Sequence, residues 1–371
     1  MITESFELAG ATPGQQTRLK VLRFGKPGGG PKAFIQAALH ADETPALLVA
    51  QHLRERLLAL EADGRLRGEV VLVPYANPVG LAQQVLGHHE GRFDLRDGIN
   101  FNRLVPDLGQ AAAKALEGRL GPDAGANALL ARAALRDAAA ALTAQRPADD
   151  LKRRLIQLAT DADIVLDLHC DGESALHLYG LTPQAGLCAE LGALLGARAI
   201  LLATESGDSP FDEACSRPWF VLQQAFPGHP LPLGCFATTV ELRGQADVEH
   251  GLAAQDAAGL LEFLLRQGVL SGTPAPLPAP LCEPTPLAAS EPVTAPASGV
   301  VVFLRGVGEH VSAGEAVAEI VDVDSGQRQP IVAQSSGVLY ARVRTRWAAA
   351  GDRLAKIAGT TLARTGKLLS A

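Results

Sequence analysis

Apolar residues recur along the first 280 positions in two alternating rhythms. Short apolar runs at 18–24, 33–39, 69–74, 164–168, 198–203 and 236–242 read as strands, and the longer stretches between them carry apolar residues at helical spacing. The clearest helix covers 45–60, where Val49, Leu53, Leu57 and Leu60 share one face, Pro45 suits the first turn and Thr44 the N-cap. After the 164–168 run, His177 and Tyr179 alternate as on one face of a further strand. Strands interleaved with helices predict an α/β/α fold around a mostly parallel, mixed sheet.

Three stretches break that rhythm. An alanine-rich insert at 109–159 reads as helical, with Gly/Pro breaks near 121–125 and at Pro147, and offers a packing or self-association surface. The proline-crowded stretch 272–296 suits a stiff extended connector. Beyond it, Ser298-Gly299-Val300-Val301 with Ala313-Gly314-Glu315-Ala316-Val317-Ala318-Glu319-Ile320 recurs 37 to 38 residues later as Ser336-Gly337-Val338-Leu339 with Ala350-Gly351-Asp352-Arg353-Leu354-Ala355-Lys356-Ile357. Two copies of one β unit predict a small β-sandwich that resembles the biotinyl/lipoyl-carrier fold. Its connection, 321–330 (VDVDSGQRQP), lacks the lysine that a carrier needs, so the module reads as structural or as a cover for a site. The expected division is therefore residues 1–280 and 281–371.

Composition narrows the classes of function. A net charge of −7, with no Lys/Arg cluster interleaved with aromatics, leaves no footprint for nucleic acid. Five cysteines without CxxC spacing read as reduced thiols, and the N-terminus has no apolar export segment, so a cytoplasmic setting is expected. No run of about 18 apolar residues suggests a membrane span.

The chemistry gathers at predicted strand ends, where open α/β sheets collect their ligands. The run 33–39 leads into His40-Ala41-Asp42-Glu43, and 164–168 ends in Asp167-Leu168-His169. Two histidines and one carboxylate can form the open three-ligand shell of a catalytic zinc, and Asp167 could orient the His169 ring. Thr239-Val240-Glu241-Leu242-Arg243-Gly244 closes another strand and offers Glu241 as a base at the same edge. The loop from Arg92 to Arg103 supplies arginines and amides suited to carboxylates.

The series H-x-x-E, R-x5-G-x-N-x-N-R, DLH and T-x-E-x-x-G, in that order, resembles the succinylglutamate desuccinylase/aspartoacylase family of the zinc carboxypeptidase-like superfamily. The resemblance implies a zinc-exopeptidase-like catalytic domain holding one Zn2+ per chain through His40, Glu43 and His169. It implies Glu241 as general base, Arg92 as the group polarising the scissile carbonyl, and Asn102 with Arg103 as the grip on a substrate carboxylate. His177 and Tyr179 are expected to face the substrate pocket or to be half-buried strand residues. The activity implied is hydrolysis of an amide in a small N-acyl amino acid; a peptide carboxypeptidase and a non-catalytic zinc or partner-binding protein are the alternatives. Cys170-Asp171-Gly172-Glu173 after His169, and Leu242-Arg243-Gly244 after Glu241, depart from the commonest pattern, which leaves the acyl group open. His88 and His89 read as exposed loop residues, and Cys170 lacks the partners of a thiol nucleophile.

Overall fold

The computed structural model describes residues 1–10 and 12–369. Its centre is a nine-stranded sheet whose spatial order is Ile2–Glu7, Arg18–Gly25, Glu69–Val73, Lys32–Ala37, Ile164–Asp171, Phe236–Gly244, His177–Leu181, Ala199–Ala203 and Pro284–Pro286. The central pairs and the edge ending in Pro284–Pro286 are parallel, but Ile2–Glu7 on Arg18–Gly25, Arg18–Gly25 on Glu69–Val73, and Phe236–Gly244 on His177–Leu181 run antiparallel, so the sheet is mixed. Strands buried on both faces are nearly continuous in apolar residues, as in Glu69–Val73, which explains why run length located them.

Separate cores lie on the two faces. One packs Val49, Leu53 and Leu57 of the Thr44–Ala62 helix, with Leu260 and Leu264 of the His250–Arg266 helix, against Ile35, Leu72 and Leu166. The other packs Leu151 and Leu155 of the Pro147–Ala159 helix, with Phe211 and Trp219 of the Phe211–Ala225 helix, against Phe34, Val71 and Val165. Neighbouring strand residues such as Phe34 and Ile35 thus face opposite layers, as a strand period of two requires. The alanine-rich insert contributes three helices, and Asp123 caps one of them by accepting the Ala126 N–H at 2.6 Å.

Two expectations change. Thr44 is the first helical residue and Glu43 stands at the cap position with no side-chain cap, because its carboxylate is turned toward two imidazoles. The division at 280 moves: Pro284–Pro286, within the extended proline connector, pairs in parallel with Ala199–Ala203 as an edge strand of the main sheet, a position where missing N–H groups cost little.

After the connector, each copy of the repeat forms an antiparallel pair, Gly299–Phe303 with Ala316–Val321 and Gly337–Arg342 with Arg353–Gly359, one in each of two further sheets. Val301, Val317 and Ile320 from one sheet share a core with Leu339, Leu354 and Ile357 from the other. This module docks on the main sheet through Glu173–Ser174, which pairs with Gly337–Arg342, and through ion pairs of Glu173 with Arg342 and Arg346. No helix among the described residues is long and apolar enough to cross a membrane.

Candidate active site

Four loops at one end of the main sheet hold the polar cluster, and several turn through left-handed backbone. Ala38, Leu104, Asp208, Ser209 and Arg243 have φ between 49° and 65°. Such non-glycine residues cost about 1–2 kcal/mol each, so the surrounding packing must hold them. Ala38 ends the Lys32–Ala37 strand, and its N–H is tied to the Leu168 carbonyl at 3.1 Å, which sets His40 beside the neighbouring strand. Gly91 fits where no side chain could: a Cβ there would lie 2.2 Å from the Asp42 nitrogen. That close approach brings Arg92 against the His40 loop.

His40, Glu43 and His169 converge, with one potential ligand atom from each lying within 4.8 Å of the others. Both imidazoles turn Nδ1 to the Glu43 carboxylate, His40 at 2.8 Å from Oε1 and His169 at 2.8 Å from Oε2. The opposite nitrogens are held as well. His40 Nε2 is 2.8 Å from Asn100 Oδ1, an oxygen that also accepts the Asn102 N–H at 2.8 Å. His169 Nε2 lies 3.0 Å from Asp167 Oδ2, and Gln36 donates to the other Asp167 oxygen at 2.9 Å.

This arrangement tests whether the residues suit a metal. Because Asn100 Oδ1 is an acceptor, His40 donates from Nε2 and its Nδ1 carries a lone pair. Burial, reinforced by Arg92, lowers His40 to about 4 against the pull of Glu43, so the ring is neutral. A lone pair and a carboxylate oxygen then face each other at 2.8 Å, a contact between two acceptors that a cation relieves. Burial works against Glu43 ionising, but the imidazoles outweigh it and hold the carboxyl well below its ordinary range. Burial also pulls His169 down, yet Asp167 and Glu43 dominate and raise it well above the usual histidine value. Two imidazoles and an ionised carboxylate, each held by a polar neighbour, fit a divalent cation that takes nitrogen and oxygen ligands.

Register places the remaining groups. Glu241 is opposite His169 on the adjacent strand, and the ladder shifts between Glu241 and Gly244, where the strand bulges. Burial and the Glu43 charge push the Glu241 carboxyl up to about 8, and its Oε2 is buried without a hydrogen-bond partner among the described residues. Arg92 donates toward His40 Nδ1 at 3.2 Å and Glu43 Oε1 at 3.4 Å. Asn102 spends its Oδ1 on the Phe211 N–H at 2.8 Å, so it anchors the start of the Phe211–Ala225 helix, with Nδ2 3.4 Å from His169 Nε2. Arg103 is buried beside it and donates to the Asn102 carbonyl at 2.7 Å.

These side chains border a cavity of about 420 Å³ that also reaches Tyr179, Asp212, Arg353 and Leu369. That volume lies in the range of small-molecule sites. The expectation that His177 faces the cavity is not met. The docked Gly337–Arg342 strand encloses its ring between Tyr179 and Tyr340, 5.3 and 4.8 Å away between centroids, and it is not among the lining residues. Burial lowers His177 to about 4, and its Nδ1 is 2.9 Å from the Ala175 carbonyl. His88 and His89 form a two-residue hairpin with Gln84 and Val85, outside the cavity lining. Cys170 lines the cavity as a neutral thiol, its pKa raised by burial and by the surrounding carboxylates.

Three groups at the site had no role assigned from sequence. Asn100 lies inside the arginine loop and could have been noticed there. Asp212 begins a helix far along the chain, and Lys356 comes from the second copy of the repeat, where it pairs with Asp171. Burial opposes that carboxylate, but Lys356 outweighs it and holds Asp171 at about 2.

Comparison with known proteins matches residues 29–266 to the succinylglutamate desuccinylase/aspartoacylase catalytic domain. Over 344 residues the chain is 25% identical to the N-alpha-acetyl-L-2,4-diaminobutyric acid deacetylase of Halomonas elongata, spanning 90% of this chain and 83% of that protein. A solved succinylglutamate desuccinylase/aspartoacylase family protein from Shewanella amazonensis superposes with a TM-score of 0.86 at 27% identity, over 96% of this chain and 98% of that one. Another from Shewanella frigidimarina shares the fold with a TM-score of 0.84 at 24% identity, over 97% of each chain.

Proposed function

Since this chain belongs to the succinylglutamate desuccinylase/aspartoacylase family, we propose that it is a zinc-dependent deacylase that hydrolyses the amide bond of a small, carboxylate-bearing N-acyl amino acid. The observation that carries the reading is the pair of Nδ1 atoms facing one buried carboxylate with Glu241 on the adjoining strand. His40, Glu43 and His169 would hold the ion. Zinc supplies Lewis acidity when bound, polarising a carbonyl oxygen and making water nucleophilic near neutral pH.

The protein's own groups do the rest. Glu241 accepts the proton of the attacking water and returns it to the departing nitrogen, acting as base and then acid. Arg92 donates to the oxygen on which negative charge grows. Arg103 holds the substrate carboxylate, while Asn102 keeps that arginine's loop fixed to the adjacent helix. Tyr179 lines the same cavity. We assign 1–280, with Pro284–Pro286 as its edge strand, to the catalytic unit and the rest of 281–371 to a β-module that resembles the biotinyl/lipoyl-carrier fold and walls the cavity rather than carrying a group. The relative from Halomonas elongata favours an acetyl-sized acyl group, and the covering module favours small amides over peptides.

The test is a screen of N-acetyl, N-succinyl and N-formyl amino acids beside a peptide panel, with metal content measured on the same samples. Release of free amino acid from an N-acyl series, lost on chelation and restored by Zn2+, is expected. Release of C-terminal residues from peptides alone would replace the reading with a carboxypeptidase. Asp167→Asn is expected to weaken metal binding by about 10- to 100-fold in competition with a chelator, because the charge beside His169 is lost and the Gln36 bond keeps the remaining oxygen, leaving an NH2 donor toward His169 Nε2. Unchanged affinity would mean that Asp167 does not act on the ligand.

A further inference from the structure

The Phe211–Ala225 helix begins with two acids, Asp212 and Glu213, in its first turn. Their surroundings differ. Glu213 is satisfied: its Oε2 accepts the Ser206 N–H at 2.9 Å and the Ser206 hydroxyl at 2.6 Å, and Arg217 lies 4.0 Å away. Asp212 is only 7% exposed, lines the cavity, and forms no ion pair with any described residue. Its carboxylate accepts from the backbone amide of Glu213. A helix N-terminus favours an acid, but that field is served equally by an exposed one and gives no reason to bury a carboxylate in a cavity wall.

The position of Asp212 is informative. Asn102 fixes the preceding residue, Phe211, by accepting its N–H, so Asp212 is locked to the same loop that carries Arg103. One helical turn on, Ser216 also lines the cavity and donates its hydroxyl to the Asp212 carbonyl at 3.0 Å. The carboxylates of Glu213 and Asp167 face Asp212, as does His169, and burial together with the first two acids pushes its carboxyl up to about 7. Arg103 also feels the Asp212 charge but forms no ion pair with it among the described residues, and burial and the two acids still prevail, so an incoming cation stabilises this carboxylate.

Resting on the deacylase reading above, we propose that Asp212 is a specificity-determining residue that pairs with an ammonium group on the substrate's side chain, so that the preferred substrate is an N-acylated diamino acid. Arg103 takes the α-carboxylate, Asp212 the side-chain ammonium, and the amide between them is presented to His40, Glu43 and His169.

The test compares Nα-acetylornithine with Nα-acetylnorvaline, which lacks the terminal amine, and Nα-acetylglutamate, on the zinc-loaded full chain. The wild type should prefer the ornithine derivative over the norvaline derivative by about 10- to 100-fold in kcat/KM, and Asp212→Asn should reduce that ratio to within about 3-fold. Asp212→Lys should move the preference toward the glutamate derivative. Melting temperature and zinc content of each variant separate a lost contact from a lost fold. Calorimetry with free ornithine and free norvaline measures the same discrimination without turnover. Tighter binding of ornithine by the wild type but not by Asp212→Asn upholds the subsite even if no amide is cleaved, and in that case only the deacylase reading falls. Cleavage with no preference for the amine, or a preference that Asp212→Asn leaves intact, overturns the assignment of Asp212.

Discussion

Glu241→Gln should reduce kcat by about 10²- to 10⁴-fold while leaving zinc stoichiometry and substrate affinity near those of the wild type. Glutamine keeps the shape and one carbonyl oxygen but cannot take a proton. At the middle of that range, about 10³-fold, the loss corresponds to about 4 kcal/mol of transition-state stabilisation. Glu241 is held in place by the strand ladder rather than by side-chain bonds: it sits opposite His169 on one side and His177 on the other. The substitution should therefore leave the fold intact, which equal melting temperatures would verify.

The same residue sets a pH dependence with a defined sign. Only the ionised carboxylate accepts a proton, and burial with the Glu43 charge raises the group to about 8 in the metal-free protein. A divalent cation nearby favours the ionised form and moves the value down. Activity should fall as pH decreases, along an acid limb whose midpoint lies below about 8. The residual rate of Glu241→Gln should lack that limb. A variant keeping more than about a tenth of wild-type kcat would remove Glu241 from proton transfer.

The parts of the site visible in sequence share one property: their chemistry lies at the end of a strand that apolar run length already located. His40 and Glu43 follow one buried strand, while His169 and Glu241 lie on two others, and parallel neighbours bring such ends to one edge. What stayed hidden depended on which elements meet. Lys356 belongs to a repeat whose first copy carries Glu319 at the matching position, a residue that pairs with Arg328 on its own sheet. Nothing in the local pattern tells one copy that it will face Asp171. Asp212 resembles any acid in the first turn of a helix until the Asn102 bond turns that helix into the cavity. The Thr44 cap failed for the opposite reason. A local preference for a hydroxyl cap yields where Glu43 is already committed to two histidines. His177 has the correct alternation for the cavity but is enclosed by a strand more than 150 residues later in the chain.

Arg92→Ala should lower kcat by about 10²- to 10³-fold with little change in KM, the behaviour of a donor that acts chiefly on developing charge. The geometry explains why the effect should separate in this way. The guanidinium stands 3.2 Å from His40 Nδ1 and 3.4 Å from Glu43 Oε1, so in the metal-free protein it partly supplies the positive charge that these two acceptors need. With His40 and Glu43 holding a cation, Arg92 would no longer be needed there, and its N–H groups would be available to the cavity that it lines. Arg92→Ala should consequently bind zinc at least as tightly as the wild type, since it removes a competing positive charge from the ligand set. Arg92→Lys should recover only part of the rate, because an ammonium keeps the charge but not the planar fork. A parallel loss of zinc affinity and kcat would show that Arg92 holds the ligands in place rather than the oxyanion. A rise in KM with kcat unchanged would assign it to substrate binding.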